Sequence, residues 1–116
     1  MKKVLVSLSI VASVVTGFAM AADPRAEIEK TFDRHKGGLY AIYAKALREN
    51  PRLAGKVVVG FDIDRSGSVS ACRVQSSTLG SPATEQQFCD RILKIKFAPQ
   101  NAAITITKPI DFFPAA

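Results

Sequence analysis

Residues 55–75 read GKVVVGFDIDRSGSVSACRVQ. The first half alternates strictly, with Val57, Val59, Phe61 and Ile63 on one side of an extended chain and Lys56, Val58, Gly60, Asp62 and Asp64 on the other. Period-two alternation of this kind marks a strand with one buried face. Arg65-Ser66-Gly67-Ser68 is turn chemistry, and a second extended run follows from Val69 to about Gln75. Two such runs joined by a short Gly-containing loop predict a β-hairpin. On the return strand Cys72 and Val74 share a face, which is expected to look toward the layer that covers the sheet.

Upstream of the hairpin, residues from Ala26 to Asn50 carry helical periodicity. Ile28, Phe32, Leu39, Ile42, Tyr43, Ala46 and Leu47 recur at the spacing that lines one helix face. Asp23 before Pro24 suits an N-cap with proline in the first turn. Gly37-Gly38 weakens the middle and predicts a kink or a break into two helices. Asn50-Pro51 ends the run, because a residue before proline avoids the helical region. Downstream, Ser76–Pro82 is a polar loop, and Ala83–Ile95 carries a second amphipathic helix with Phe88, Cys89, Ile92 and Leu93. After Phe97-Ala98-Pro99 a last strand is predicted from about Ala103 to Phe112, and Pro109 within it argues for an edge position or a bulge. Helix, hairpin, helix, strand is an α+β order. Its compact solution is a two-layer domain, a three-stranded antiparallel sheet with both helices on one face.

The 116 residues leave room for one domain. Before it, Lys2 and Lys3 precede an apolar run from Val4 to Phe18 that ends in Ala19-Met20-Ala21. A basic start, an apolar run and a small-x-small ending are the pattern of a Sec signal peptide, residues 1–21, leaving residues 22–116 as the exported domain. The alternative is an uncleaved signal anchor, since the run lies at the lower edge of the roughly 20 residues that span a bilayer. Export implies a periplasmic protein with no stable membrane insertion once the leader is cut.

The chain holds 16 basic and 10 acidic residues. Lys2 and Lys3 leave with the leader, so residues 22–116 carry 14 basic against 10 acidic, a net charge of +4. The signs are mixed, and the densest basic cluster, Arg34-His35-Lys36, adjoins Asp33. A nucleic-acid surface would show a basic stripe with interleaved aromatics, and none is present. Solubility, or weak attraction to an anionic envelope polymer, fits the charge better.

Both cysteines, Cys72 and Cys89, fall in the exported part. An even count in an oxidising compartment reads as one disulfide. A strand cysteine meeting a helix cysteine across a layer boundary is geometrically ordinary. The competing readings are a redox pair and a metal site, but the spacing is not C-x-x-C and the only histidine, His35, is far away in sequence.

Other residues offer chemistry with a plainer alternative. Asp62-Ile63-Asp64-Arg65-Ser66-Gly67 resembles the start of a calcium loop, but position 12 holds Arg73 where a bidentate Glu is needed. A hairpin turn uses the same residues. His35 has no carboxylate, cysteine or serine constellation that would make it a base or ligand. Tyr40 and Tyr43 sit at helical spacing with Ile42 and Leu47, as core or its rim. Ser76-Ser77-Thr78 offers hydroxyls without a base. No catalytic residue, metal site or cofactor is expected.

Taken in order, these stretches resemble the C-terminal domain superfamily of TonB, and within it the AgmX/PglI-type C-terminal domain. The resemblance runs from about Ile28 to Phe113. It is carried by Leu39-Tyr40-Ala41-Ile42-Tyr43-Ala44-Lys45-Ala46-Leu47 before Asn50-Pro51-Arg52-Leu53-Ala54-Gly55-Lys56-Val57. Phe61-Asp62-Ile63-Asp64 with Gly67 and Val69, Ser76-Ser77-Thr78-Leu79, Cys89, Ile95-Lys96-Phe97 and Pro109-Ile110-Asp111-Phe112 continue it. Two departures stand out. The family places a cysteine immediately before the helix-1 tyrosine, to pair with the helix-2 cysteine; here Ile42 precedes Tyr43, and Cys72 stands on the hairpin instead. TonB proteins also carry a membrane anchor and a long Pro-rich spacer, whereas this chain passes from leader to domain within a few residues.

The resemblance implies a non-enzymatic protein-binding module of the cell envelope, serving a transport, secretion or motility system. Such domains bind partner peptides by adding a strand to a free sheet edge. The candidate edge is Ala103, Ile104, Thr105, Ile106 and Thr107, where isoleucine alternates with threonine. Two other readings remain open. One is a periplasmic enzyme inhibitor or small hydrolase, an inhibitor using the Ser76–Pro82 loop. The other is a structural subunit of an envelope complex, a homodimer through its sheet edge.

Overall fold

The computed structural model describes residues 24–114. The signal-peptide assignment to residues 1–21 and the Asp23 cap lie outside the described residues. The order is α1 (Pro24–Glu49), β1 (Gly55–Ile63), β2 (Val69–Ser77), α2 (Pro82–Ile92) and β3 (Ile104–Phe112). The strands form one antiparallel sheet in the order β2-β1-β3, and the fold is α+β with the predicted layout.

β1 sits in the middle because its alternation is the purest. Val57, Val59, Phe61 and Ile63 are fully buried. Burying side chains of this size contributes roughly 1.5–3 kcal/mol each, so this one row is the chief cohesive element of the sheet. The helices supply the other wall. Phe32 of α1 stacks on Phe61 at 5.7 Å, and Phe61 in turn faces Phe97 at 6.0 Å. At the far end of the sheet Phe112 gathers both helices. It stacks on Phe88 of α2 at 4.6 Å and meets Tyr43 and Tyr40 of α1 at 5.1 and 5.4 Å.

α1 is one uninterrupted helix of 26 residues, so Gly37-Gly38 neither kinks nor breaks it. Buried anchors stand on both sides of the pair, Ile28 and Phe32 before it and Leu39 and Tyr43 after it, and they hold one axis. A Cβ at Gly38 would come within 2.7 Å of Arg91 Nε on α2, the far end of an exposed side chain that can shift aside. At Gly37 nothing lies within 4 Å of the same position. Gly37→Ala should therefore raise stability by about 0.5–1 kcal/mol through helix propensity alone. Urea denaturation checks it, and an unchanged midpoint would mean the helix is already fully formed in the denatured chain.

Both helices start slightly earlier than the sequence-based expectation, α1 at Pro24 and α2 at Pro82, α1 stops at Glu49, and three further boundaries differ. β2 runs on to Ser77, because Thr78 still exchanges bonds with Lys56: Thr78 N–H donates to the Lys56 carbonyl and Lys56 N–H donates to Thr78 Oγ1, both at 2.9 Å. α2 ends at Ile92 rather than Ile95, since Ile95 N–H already bonds three residues back, to Ile92 O at 3.0 Å. β3 opens at Ile104, one residue after Ala103.

Cys72 and Cys89 form a disulfide with Cα atoms 5.4 Å apart, tying β2 to α2. The buried Tyr43 hydroxyl donates to the Leu53 carbonyl and pins the connection from α1 to β1; burial raises its pKa.

Candidate functional site: the free edge of the sheet

With the order β2-β1-β3, both outer strands have a side unpaired by another strand among the described residues, but the two edges differ. β2 slips register against β1 twice, between Val58 and Val59 and between Asp62 and Ile63. Bulges of this kind twist an edge and spoil it as a template. β3 pairs with β1 without a slip from Gly55↔Phe112 to Ile63↔Ile104.

Which β3 groups face outward follows from β1. Asp64 N–H donates to Ser68 O and Thr78 N–H to Lys56 O, so the even-numbered residues of β1 turn their main-chain groups toward β2. The odd ones turn toward β3, where they meet Ile104, Ile106, Lys108, Ile110 and Phe112. Thr105, Thr107, Pro109 and Asp111 therefore present their main chain to the outside. Pro109 fits this parity, since a proline enters a ladder only where no N–H is needed.

The edge has an open half and a guarded half. Pro109 removes one outward donor. Next to it Lys108 points to the helix layer, paired with Glu29 and lying 5.7 Å from the centre of the Phe32 ring. An inward lysine and a proline are devices that stop a strand from pairing further. Residues 104–107 carry neither. Ile104 is half-buried and Ile106 buried against the helices, while Thr105 and Thr107 are exposed on the opposite face. Ala103 is exposed and precedes the strand.

That opposite face is polar and centred on Asp62. Its carboxylate receives Arg73 from β2 at 3.3 and 3.4 Å and the Thr105 hydroxyl from β3 at 2.9 Å, so one side chain links three strands. Arg73 and then Thr105 hold Asp62 below the ordinary carboxylate range.

Asp64 is committed to the turn. Its Oδ1 accepts from Ser66 Oγ at 2.6 Å, Ser66 N–H at 2.9 Å and Ser68 N–H at 3.0 Å. The Ser66 hydroxyl and the Ser68 amide pull its pKa down. So the stretch that begins like a calcium loop spends one aspartate on the turn and the other on the residue at position 12, Arg73.

Both depressed carboxylates have the same sign of linkage. Their contribution is complete above the ordinary value of 3.8 and is lost as pH falls through the lower folded value. Melting temperature is therefore expected to fall on acidification below that value, and to fall less in the Asp62→Asn/Asp64→Asn double variant. An identical acid limb in the two proteins would assign the effect to other groups.

Ser77 and the two tyrosines have structural partners. Ser77 Oγ donates to Glu85 in the first turn of α2 at 2.8 Å and accepts from Leu79 N–H at 3.0 Å. Tyr43 is core and Tyr40 its half-exposed rim against Phe112. His35 is half-buried on α1, and no group of three or more His, Cys, Asp or Glu that could hold a metal occurs among the described residues.

A hollow that no sequence pattern announces adjoins the open half of β3. It has two parts, of about 200 and 420 Å³, between the start of α1 and residues 97–104. Its floor is Ile28 and Phe97, its rim Pro24, Ala98 and Pro99, and its far end Ile104. Gln100 lines both parts, while its Nε2 is shut off from solvent and has no hydrogen-bond partner among the described residues. Against family models, curated proteins and solved structures, the chain matches none. Among the described residues no helix is long and apolar enough to cross a membrane.

Proposed function

We propose that this chain is a non-enzymatic protein-binding module of the periplasm, of TonB C-terminal-like and AgmX/PglI-like type. It takes an extended segment of an envelope protein as an added strand on β3. The observation that supports this reading is the open half of the β3 edge: a straight, unbulged run whose main chain faces outward at Thr105 and Thr107. Main-chain bonds along such an edge supply affinity, and the side chains on its two faces supply selection. The disulfide is compatible with an oxidising compartment. The sequence pattern of residues 1–21 supplies the route of export.

Affinity capture from periplasmic extract tests the reading. Thr107→Pro removes an outward N–H at a position where β1 requires none, so the fold should survive and the bound partner be lost. Circular dichroism verifies the fold. A partner retained by both Thr105→Pro and Thr107→Pro sinks strand addition at this edge.

A second reading, a structural subunit dimeric through the same edge, has one observation in its favour. Antiparallel pairing of β3 with a second copy can set Ile106 opposite Ile106 and Thr105 opposite Thr107 without opposing like charges. Light scattering after size exclusion distinguishes it, since that reading requires a dimer that Thr107→Pro converts to monomer.

A further inference from the structure

α1 turns its buried row to the sheet and leaves a basic row on its outer side. Lys30, Arg34, Lys45 and Arg48 are exposed and fall close to whole helical turns of one another, opposite Ile28, Phe32, Leu39 and Tyr43. α2 adds to the same layer. Its exposed Arg91 reaches over Gly38 of α1, and exposed Lys94 stands about one turn further on. None of these six cations is in an ion pair among the described residues, although Lys36, Arg73 and Lys108 are. The carboxylates of the two helices do not offset them. Glu29, Asp33 and Glu85 are engaged by Lys108, Lys36 and Ser77, which leaves Glu27 and Asp90, with Glu49 at the end of α1. The sheet face that carries no helix is balanced, with Lys56 and Arg73 against Asp62 and Asp111. The positive charge of the domain is therefore gathered on its helix side.

Folding does not account for this row. Like charges one turn apart, as at Lys30 and Arg34, weaken a helix slightly. Only Arg48 lies in the last turn, where the helix dipole favours a cation.

We infer that the helix layer is a docking face for an anionic lipid bilayer, which the domain meets at the headgroups without inserting a segment. The inference does not depend on strand addition. Three features choose a bilayer as the occupant. The row runs about 27 Å along α1, from Lys30 to Arg48, and continues sideways onto α2, so it covers an area rather than a point. It forms the outward ridge of a helix, which can lie on a flat surface but cannot enclose a strand. Between the two basic pairs stand only small exposed residues, Gly37, Ala41 and Ala44, so the cationic tips reach the headgroups first. The exposed aromatic of α1, Tyr40, lies on another flank, against Phe112, and is not placed to insert. With this face on the membrane, the Thr105–Thr107 edge stays open at the side of the domain.

The probe is sedimentation of the exported protein, disulfide intact, with vesicles of phosphatidylglycerol mixed with phosphatidylcholine, and with vesicles of phosphatidylcholine alone. Binding is expected to the anionic vesicles only, and to fade as salt rises. Each Lys or Arg held at an anionic surface strengthens binding about fivefold. Lys30→Gln/Lys45→Gln should therefore weaken it roughly twenty-five-fold. Glutamine is a good helix former, and circular dichroism verifies the fold. Lys56→Gln/Arg65→Gln removes the same charge from exposed residues outside the helix layer and should cost little. Thr107→Pro should leave vesicle binding unchanged.

No sedimentation with anionic vesicles overturns the docking face. Equal losses for the two double variants also overturn it, since net charge would then suffice. Soluble polyphosphate bound as tightly as the vesicles would assign the row to a linear polyanion and overturn the bilayer. None of these outcomes touches strand addition, which stands or falls with Thr105→Pro and Thr107→Pro.

Discussion

Reduction of the Cys72–Cys89 bridge is expected to lower the stability of the domain by roughly 3 kcal/mol, the chain-entropy value for a loop of this size. The bridge closes a separation of 17 residues. The two elements it joins are the ones least able to hold themselves. α2 has only 11 residues, below the length at which an isolated helix is stable in water. β2 is an outer strand whose ladder is broken by two bulges. Each is kept in place by one buried face, and the cross-link holds those faces together. A domain of this size has a modest core, so the loss is a large share of its total stability. Urea denaturation with and without a thiol reductant measures the effect, and the Cys72→Ala/Cys89→Ala variant repeats it without reductant. Coincident transitions under both conditions would show that the core alone sets stability. Because β3 lies on the far side of β1 from the bridge, reduction should loosen α2 and β2 before it disturbs the Thr105–Thr107 edge.

The parts of this fold that could be read in advance are those that repeat. β1 was legible because four buried side chains alternate without error, and α1 because Ile28, Phe32, Leu39 and Tyr43 keep helical spacing across two glycines. The reading failed at Gly37-Gly38 for a tertiary reason. Local propensity argues for a break there, but the buried residues on either side of the pair hold one helix axis. The edge at residues 103–107 was visible as alternation and shifted by one residue when β3 opened at Ile104. That residues 104–107 are open and 108–109 guarded could not be read, because it depends on strand parity and on Lys108 meeting Glu29, 79 residues away. The hollow was invisible for the same kind of reason. Its walls come from the start of α1 and the connection before β3, and nothing in either stretch signals that they meet. Gln100 is one of two polar residues in an Ala/Pro-rich connection until the fold buries its amide nitrogen.

Gly67→Ala is expected to destabilise the domain by about 3 kcal/mol, more than an ordinary turn substitution, because two penalties coincide. Gly67 has φ of +94°, a conformation that L side chains rarely adopt. A Cβ at this position would also lie 2.0 Å from the Phe97 carbonyl oxygen and 2.8 Å from its carbon, which are backbone atoms that cannot rotate away. Relief requires the turn and the 97–100 strip to separate. That separation breaks the Phe97 N–H to Gly67 O bond and strains the neighbouring Gln100 N–H to Arg65 O bond. It also withdraws Phe97 from its place opposite Phe61. Gly80→Ala provides the control, since Gly80 has φ of +73° but open space around it. Conformation alone should cost about 1–2 kcal/mol there. Paired chemical denaturation curves decide the matter: equal losses for the two variants would mean that the turn does not lean on the Phe97 backbone. The expected inequality has a functional side. The connection from Phe97 leads straight into β3 and is braced at Gly67, so Gly67→Ala should weaken edge-binding partners under conditions where it remains folded, whereas Gly80→Ala, outside that connection, should leave them unchanged.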